Sequence, residues 1–294
     1  MVYKFEELPY EHRWTAVITI TFAIIAMITN LSIIRVFLTN PKFKTQVSYT
    51  IMAGLSIFEC ILLFAYSMFG VFCLAASVFH PIIENFVVSL LDTAWYGVFL
   101  CTTLLAFNRF VILSEIAKLR NRFYLICLGF IWVLCLINAV ISISPLVKYV
   151  YWLDLALAPL DFRATDTWSI AFSDFKYYFT IFLVGLSLAL YIFVVIALIV
   201  KRRQVTSNRT LISNAEMRIM IQAVMIFLVC ALNVTISYKA SQFVDVRSVA
   251  MHVLGTIVQI NFAFANPILY LVVNRELRNT LFGKKVIHPT SMYG

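Results

Sequence analysis

The sequence predicts an all-α membrane protein: a seven-transmembrane helix bundle closed by a short C-terminal amphipathic helix. Three observations predict it. Of 294 residues, 62% are hydrophobic and 13% charged, whereas a soluble domain carries about 45–50% apolar and about 25% charged residues. So much apolar surface does not fit inside a water-soluble body of this size, whose exterior must stay wet. Seven apolar runs are each long enough to cross about 30 Å of hydrocarbon. Lysine and arginine gather on alternate connections between those runs, the bias that sets membrane topology.

In chain order the runs are 14–38, 47–72, 86–113, 123–145, 175–200, 219–238 and 248–273. Their interiors are Ile, Leu, Val, Phe and Ala with almost no alternation, which excludes a transmembrane barrel of short alternating segments. Residues 1–13 carry Glu6, Glu7 and Glu11, unlike a basic leader, so the first run reads as an uncleaved span behind an exported tail. The longest outer connection is 146–174, with Trp152 and Trp168 suited to the interface, and the longest inner one is 201–218. The chain reads as a single seven-span domain over 1–294, without repeat or low-complexity tract. After the seventh run, Arg275 to Phe282 sets Leu277, Leu281 and Phe282 against Arg275 and Arg278, a pattern for a helix lying on the membrane surface.

Sixteen of the 23 Lys and Arg residues fall on one side, counting Arg109 there, and seven on the other, counting Lys176. The rich side is expected to be cytoplasmic, with the N-terminus outside and the C-terminus inside. Asp154, Asp161, Asp166, Asp174 and Asp245 lean outward. The net charge of +9 is therefore a topology signal plus attraction to anionic lipid, not a nucleic-acid footprint. The six cysteines show neither metal-ligand spacing nor a disulfide framework, and no cofactor or metal site is expected.

Several marks sit in order on these runs: Thr29-Asn30-Leu31 in the first, Leu55-Ser56-Ile57-Phe58-Glu59 in the second, Asn108-Arg109-Phe110 ending the third and Trp132 in the fourth. The seventh ends in Asn266-Pro267-Ile268-Leu269-Tyr270, followed by Asn274-Arg275-Glu276-Leu277-Arg278. Together they resemble the rhodopsin-like G-protein-coupled receptors over nearly the whole chain. Asn108-Arg109-Phe110, the short tail and Gln222 at the start of span six resemble nematode chemosensory receptors, among them serpentine receptor class x.

The resemblance implies roles for these residues, each beside a plainer reading. Pro267 removes a backbone donor and kinks its helix. Asn266 can then occupy the freed carbonyl region, and Tyr270 places a hydroxyl at the inner end. In the family this set swings inward on activation; the plain alternative is a simple kink. Arg109 is either a snorkelling arginine or the residue facing the G-protein cavity. Asn108 stands where the family has a carboxylate, removing a charge-assisted partner, and Phe110 where it often has Tyr. Glu216 is a candidate partner for Arg109, and Tyr191 is placed opposite Tyr270 by resemblance. Glu59 falls at the family's sodium-binding carboxylate, beside Asn30 and Asn266; the alternative is an ordinary polar network. Asp92 lies seventeen residues before Arg109, one short of the amine receptors' register, and one residue turns a helix by about 100°. It reads as a pocket-lining acid rather than an amine counter-ion. Trp95, Tyr96, Phe99, Asn233 and Gln259 complete a sparse polar, largely aromatic ligand pocket, although for each aromatic taken alone helix packing is the stronger explanation.

Departures carry information too. No lysine is read mid-span, so a retinal imine is not expected. The outer disulfide of the family cannot form, because Glu84 stands near its first cysteine and 146–174 has none. Span six holds Cys230-Ala231-Leu232-Asn233 in place of a proline-hinged motif. Asn30, Asn208 and Asn233 precede Ser/Thr acceptor positions but are in-membrane or cytoplasmic on this topology, so no glycan is expected. No cysteine follows span seven, so palmitoylation there is not expected either. The expected function is a chemosensory receptor at the plasma membrane, in the cilium of a sensory neuron, passing binding of a small molecule or peptide to a heterotrimeric G protein. A transporter or ligand-gated channel is the alternative. Against it stand the odd span number, the lack of a repeat and two carboxylates, Glu59 and Asp92, read as isolated. An intramembrane enzyme finds no histidine paired with a deep carboxylate.

Overall fold

A computed structural model describes residues 10–114, 119–144, 167–204, eight residues between 224 and 235, and 263–283. All regular structure among them is helical. The elements are α1 (Tyr10–Thr39), α2 (Pro41–Lys44), α3 (Val47–Ala75), α4 (Pro81–Ser114), α5 (Asn121–Ile143) and α6 (Thr167–Gln204). They are followed by α7 (Ala263–Val273) and α8 (Arg275–Leu281). Five of these helices are long and apolar enough to cross a membrane, and the eight residues between 224 and 235 are helical on the sixth run.

Helix ends follow local chemistry. α1 stops before Pro41, which disfavours helical backbone at the residue preceding it. Asn40 then accepts from the Lys42 amide at 3.0 Å and caps α2. α3 runs to Ala75, three residues past the sequence expectation, and takes in the buried Cys73. It stops where Ala76 turns left-handed at φ 49°. Pro81 opens α4, where its missing N–H costs nothing, and His80 Nδ1 accepts from the Ile82 amide at 3.2 Å. α6 begins at Thr167, so Trp168 stands exposed on the helix rather than in the expected loop. The hydropathy of 175–200 hid that turn because Ser169, Asp174 and Lys176 interrupt it.

α1 packs on α3, α3 on α4, and α4 on both α5 and α6. α4 is therefore the central rod. At its crossing with α3, Gly97 admits the ring of Phe58, which a Cβ there would meet at 2.3 Å. Phe58 in turn stacks on Trp132 of α5 at 4.3 Å. The outer side of α5 presents Ile126, Phe130, Leu136 and Val140 uncovered. Such faces are lethal to solubility in water but natural against acyl chains, where only helices with satisfied backbones persist.

Candidate functional site

Two polar clusters are built into this apolar bundle, and they lie toward opposite ends of α4. The first surrounds Arg109, five residues before α4 ends at Ser114. Asn108 beside it is fully buried and accepts from the Ser48 hydroxyl of α3 at 2.7 Å. That bond fixes the register of α3 against α4 just above the arginine. Arg109 is half-buried, and its electrostatic neighbours are the phenols of Tyr49, Tyr191 and Tyr270. They come from α3, α6 and α7, so one guanidinium faces three helices. Among the described residues no carboxylate reaches ion-pair distance of Arg109; Glu216 lies outside them. Phe110 is half-buried and meets Phe193 of α6 at 6.0 Å between ring centres.

Tyr270 is fully buried, its ring edge-on to Phe37 of α1 at 6.0 Å. Among the described residues its hydroxyl has no hydrogen-bond partner, and it stands within electrostatic reach of both Arg109 and Glu59. It is therefore the physical link from the arginine to the polar core in the middle of the membrane. There the Asn266 amide donates to Glu59 Oε1, while Asn30 donates to the Ala263 carbonyl at 3.4 Å. The second bond corrects the sequence expectation. Pro267 lacks the N–H that would have bonded the carbonyl four residues earlier, Ala263. Asn30 of α1, not Asn266, takes that freed acceptor. Asn266 is instead turned to Glu59, whose carboxyl must find a donor inside the bundle.

Among the described residues, Glu59 Oε2, Asn30 Oδ1 and the hydroxyls of Ser56, Thr102 and Tyr270 are buried without hydrogen-bond partners. Three of these five groups are O–H donors and two are acceptors, the balance that ordered water bridges. A bare cation would engage only their lone pairs and leave the three O–H donors to find other acceptors. Thermal stability of the protein in nanodiscs should thus change by less than about 1 °C between sodium and N-methylglucammonium chloride. A rise of about 3 °C in sodium, abolished by Glu59→Gln, would show a cation seated there.

The second cluster lies in the other half of α4, and sequence reading missed its centre. Lys176 of α6 is 6% exposed and donates to Asp92 Oδ2 at 2.5 Å. Asn138 and Ser142 of α5 donate to the same oxygen at 2.8 and 3.0 Å. Two earlier readings fall with this. Asp92 is not isolated, and a lysine does lie inside the bundle, so the ground for setting aside an imine-forming lysine is gone. Lys176 had been counted with the outer loop because it stands one residue inside the apolar run. The one available sign was its separation from Thr180 by four residues, one helical turn, which puts both on the face toward α4; Thr180 is fully buried. Rings surround the ammonium: Phe172 at 4.2 Å and Tyr96 at 5.4 Å from their centres. Tyr96 meets Phe179 at 6.4 Å, and Trp95 meets Phe99 at 5.3 Å. Asn233 and Gln259 lie outside the described residues.

Near Arg109 the chain turns sharply into α8. Asn274 accepts from the Leu277 amide at 3.1 Å and donates to the Tyr49 hydroxyl at 3.3 Å. Arg278 bends back to the last carbonyls of α7, Leu271 at 2.5 Å and Val272, and so leaves the polar face expected of it. Such a guanidinium satisfies orphan carbonyls at a helix C-terminus and complements its dipole. Leu277 is buried and Phe282 exposed.

Comparison with known proteins falls into line with this geometry. The family described as serpentine type 7TM GPCR chemoreceptor Srt matches residues 4–292. The match falls on the Srt type, not on class x, toward which Asn108-Arg109-Phe110 and the short tail had pointed. No curated protein sequence matches the chain. The crystal structure of squid rhodopsin superposes with a TM-score of 0.77 at 13% identity, over 95% of this chain and 87% of that one; at that identity the likeness shows the fold alone.

Proposed function

Because the chain belongs to the serpentine type 7TM GPCR chemoreceptor family Srt, we propose that it is a ligand-activated receptor whose Arg109 end engages a heterotrimeric G protein. The carrying observation is the convergence of Tyr49, Tyr191 and Tyr270, from three helices, on Arg109. A ligand acts by binding one packing of the bundle more tightly than the other. Phenols in the electrostatic surroundings of a guanidinium can be exchanged at modest cost, since among the described residues no ion pair to Arg109 has to be broken. Asn108, where a carboxylate would clamp the arginine, is occupied with Ser48 instead. The resting state is therefore held by hydroxyls and packing.

On this reading Asn108, Arg109, Phe110, Tyr191, Asn266, Pro267 and Tyr270 form the switch, and Asn30 and Glu59 the polar core between its halves. Asp92, Trp95, Tyr96 and Phe99, with Asn233 and Gln259, form the ligand pocket at the other end. The basic end faces the cytoplasm, the whole of 1–294 is one seven-helix domain in the plasma membrane, and a sensory cilium is the fitting site for such a receptor.

The Asp92–Lys176 pair is one feature that a transporter or channel would share, since intramembrane charges mark transport pathways. Reconstitution separates the readings. Protein in liposomes with purified Gα and Gβγ should accelerate nucleotide exchange on Gα above empty liposomes, and should pass no current. Current without exchange would reverse the assignment.

A further inference from the structure

We infer that the molecule recognised at the Asp92 end is uncharged, with an apolar, ring-sized body and a hydrogen-bond donor. This deepens the receptor reading above and rests on its placing of the ligand pocket. Asp92 and Lys176 touch at 2.5 Å, so whichever of the two holds the proton, their summed charge is zero. An amine entering this apolar half would find its counter-charge already taken by Lys176. A carboxylate would find the ammonium already taken by Asp92. Either ion would bring a net charge into a largely buried, ring-lined part of the bundle, and such a charge is costly to bury.

A neutral molecule escapes that penalty and still finds a polar handle. Three donors converge on Oδ2 of Asp92: Lys176, Asn138 and Ser142. None of these bonds uses Oδ1, and 15% of the Asp92 side chain remains exposed. An O–H or N–H of a neutral ligand can be accepted there. The surroundings of the pair are rich in rings, with Phe172 and Tyr96 about the ammonium and Trp95 against Phe99 one helical turn along α4, which suits an apolar, ring-sized body. Discrimination thus comes from charge already cancelled inside the protein, which rejects the wrong partner rather than attracting the right one.

The test uses three probes of one shape: benzyl alcohol, benzylammonium and benzoate. Each is titrated calorimetrically into the full chain in nanodiscs, with empty nanodiscs subtracted. The wild-type protein should show saturable heat with benzyl alcohol alone. Lys176→Met should gain benzylammonium, and Asp92→Asn should gain benzoate, each at least tenfold tighter than wild type. The double variant Asp92→Asn/Lys176→Met should return to benzyl alcohol alone, which also shows that the site still folds. Wild-type binding of either ion as tightly as the matching variant would overturn the inference. So would the absence of any gain in the single variants while the double variant keeps the alcohol. Saturable alcohol binding with no effect on nucleotide exchange would instead sink the receptor reading and leave this inference standing.

Discussion

Replacing Arg109 by alanine is expected to reduce receptor-stimulated nucleotide exchange on Gα at least tenfold, to the rate of the G protein alone. Benzyl alcohol affinity at the far end should stay within about threefold of wild type, because Asp92 is some 25 Å away along α4 at about 1.5 Å per residue. The argument is one of partners. Arg109 lies in the electrostatic reach of phenols from three helices, so it registers their relative positions. Removing it leaves Tyr49, Tyr191 and Tyr270 without a shared centre and leaves the cavity without its guanidinium. Arg109→Lys separates charge from shape. An ammonium keeps the positive charge but not the planar, five-donor fork. Its exchange rate should fall between wild type and alanine. If Arg109→Ala signals like wild type, the arginine merely snorkels to the head groups.

The second large effect is on stability. Lys176→Met leaves Asp92 charged, buried and short of one donor; Asp92→Asn leaves a buried ammonium without a carboxylate. Breaking one side of such a pair costs about 3–5 kcal/mol, whereas replacing both sides is often neutral or stabilising. Each single variant should therefore unfold at markedly lower SDS fraction or temperature, and the double variant should recover most of the loss. The coupling measured by that cycle is the worth of the pair within the bundle. Additive losses, with the double variant weakest of all, would mean that the two side chains act separately. The pair ties α4 to α6 at the end remote from Arg109, and Thr103 with Ser187 at 2.9 Å ties the same helices nearer the middle.

How far the molecule was legible in its sequence follows from which forces act along the chain and which act across it. Apolar length and the Lys/Arg bias are properties of a segment alone, so the spans could be counted from composition. Their ends were less visible. Thr167 to Asp174 was read as loop because Ser169, Asp174 and Lys176 dilute the hydropathy, yet Ser169 and Lys176 are buried on the face of α6 toward α4. The residues proposed as the switch, Asn108, Arg109, Asn266 and Tyr270, stand out by position in familiar motifs; that Asn108, Asn266 and Tyr270 are buried and Arg109 half-buried is a separate observation. Bonds across helices were not readable. That Asn30 rather than Asn266 takes the carbonyl freed by Pro267 depends on how closely α1 approaches α7. Lys176 was invisible for the same reason: its partner lies 84 residues away on α4. An alternation of small and polar positions cannot say which residue on another helix will face it.

The proposal stands or falls with which side of the membrane holds Arg109, because a G protein approaches only from the cytoplasm. An epitope placed after Gly294, next to the α8 end of the bundle, reports this directly in intact cells. The orientation proposed here requires that antibody or protease reach it only after the membrane is permeabilised. Labelling or cleavage in sealed cells would put the tyrosine-ringed arginine on the outer surface, where no G protein can meet it.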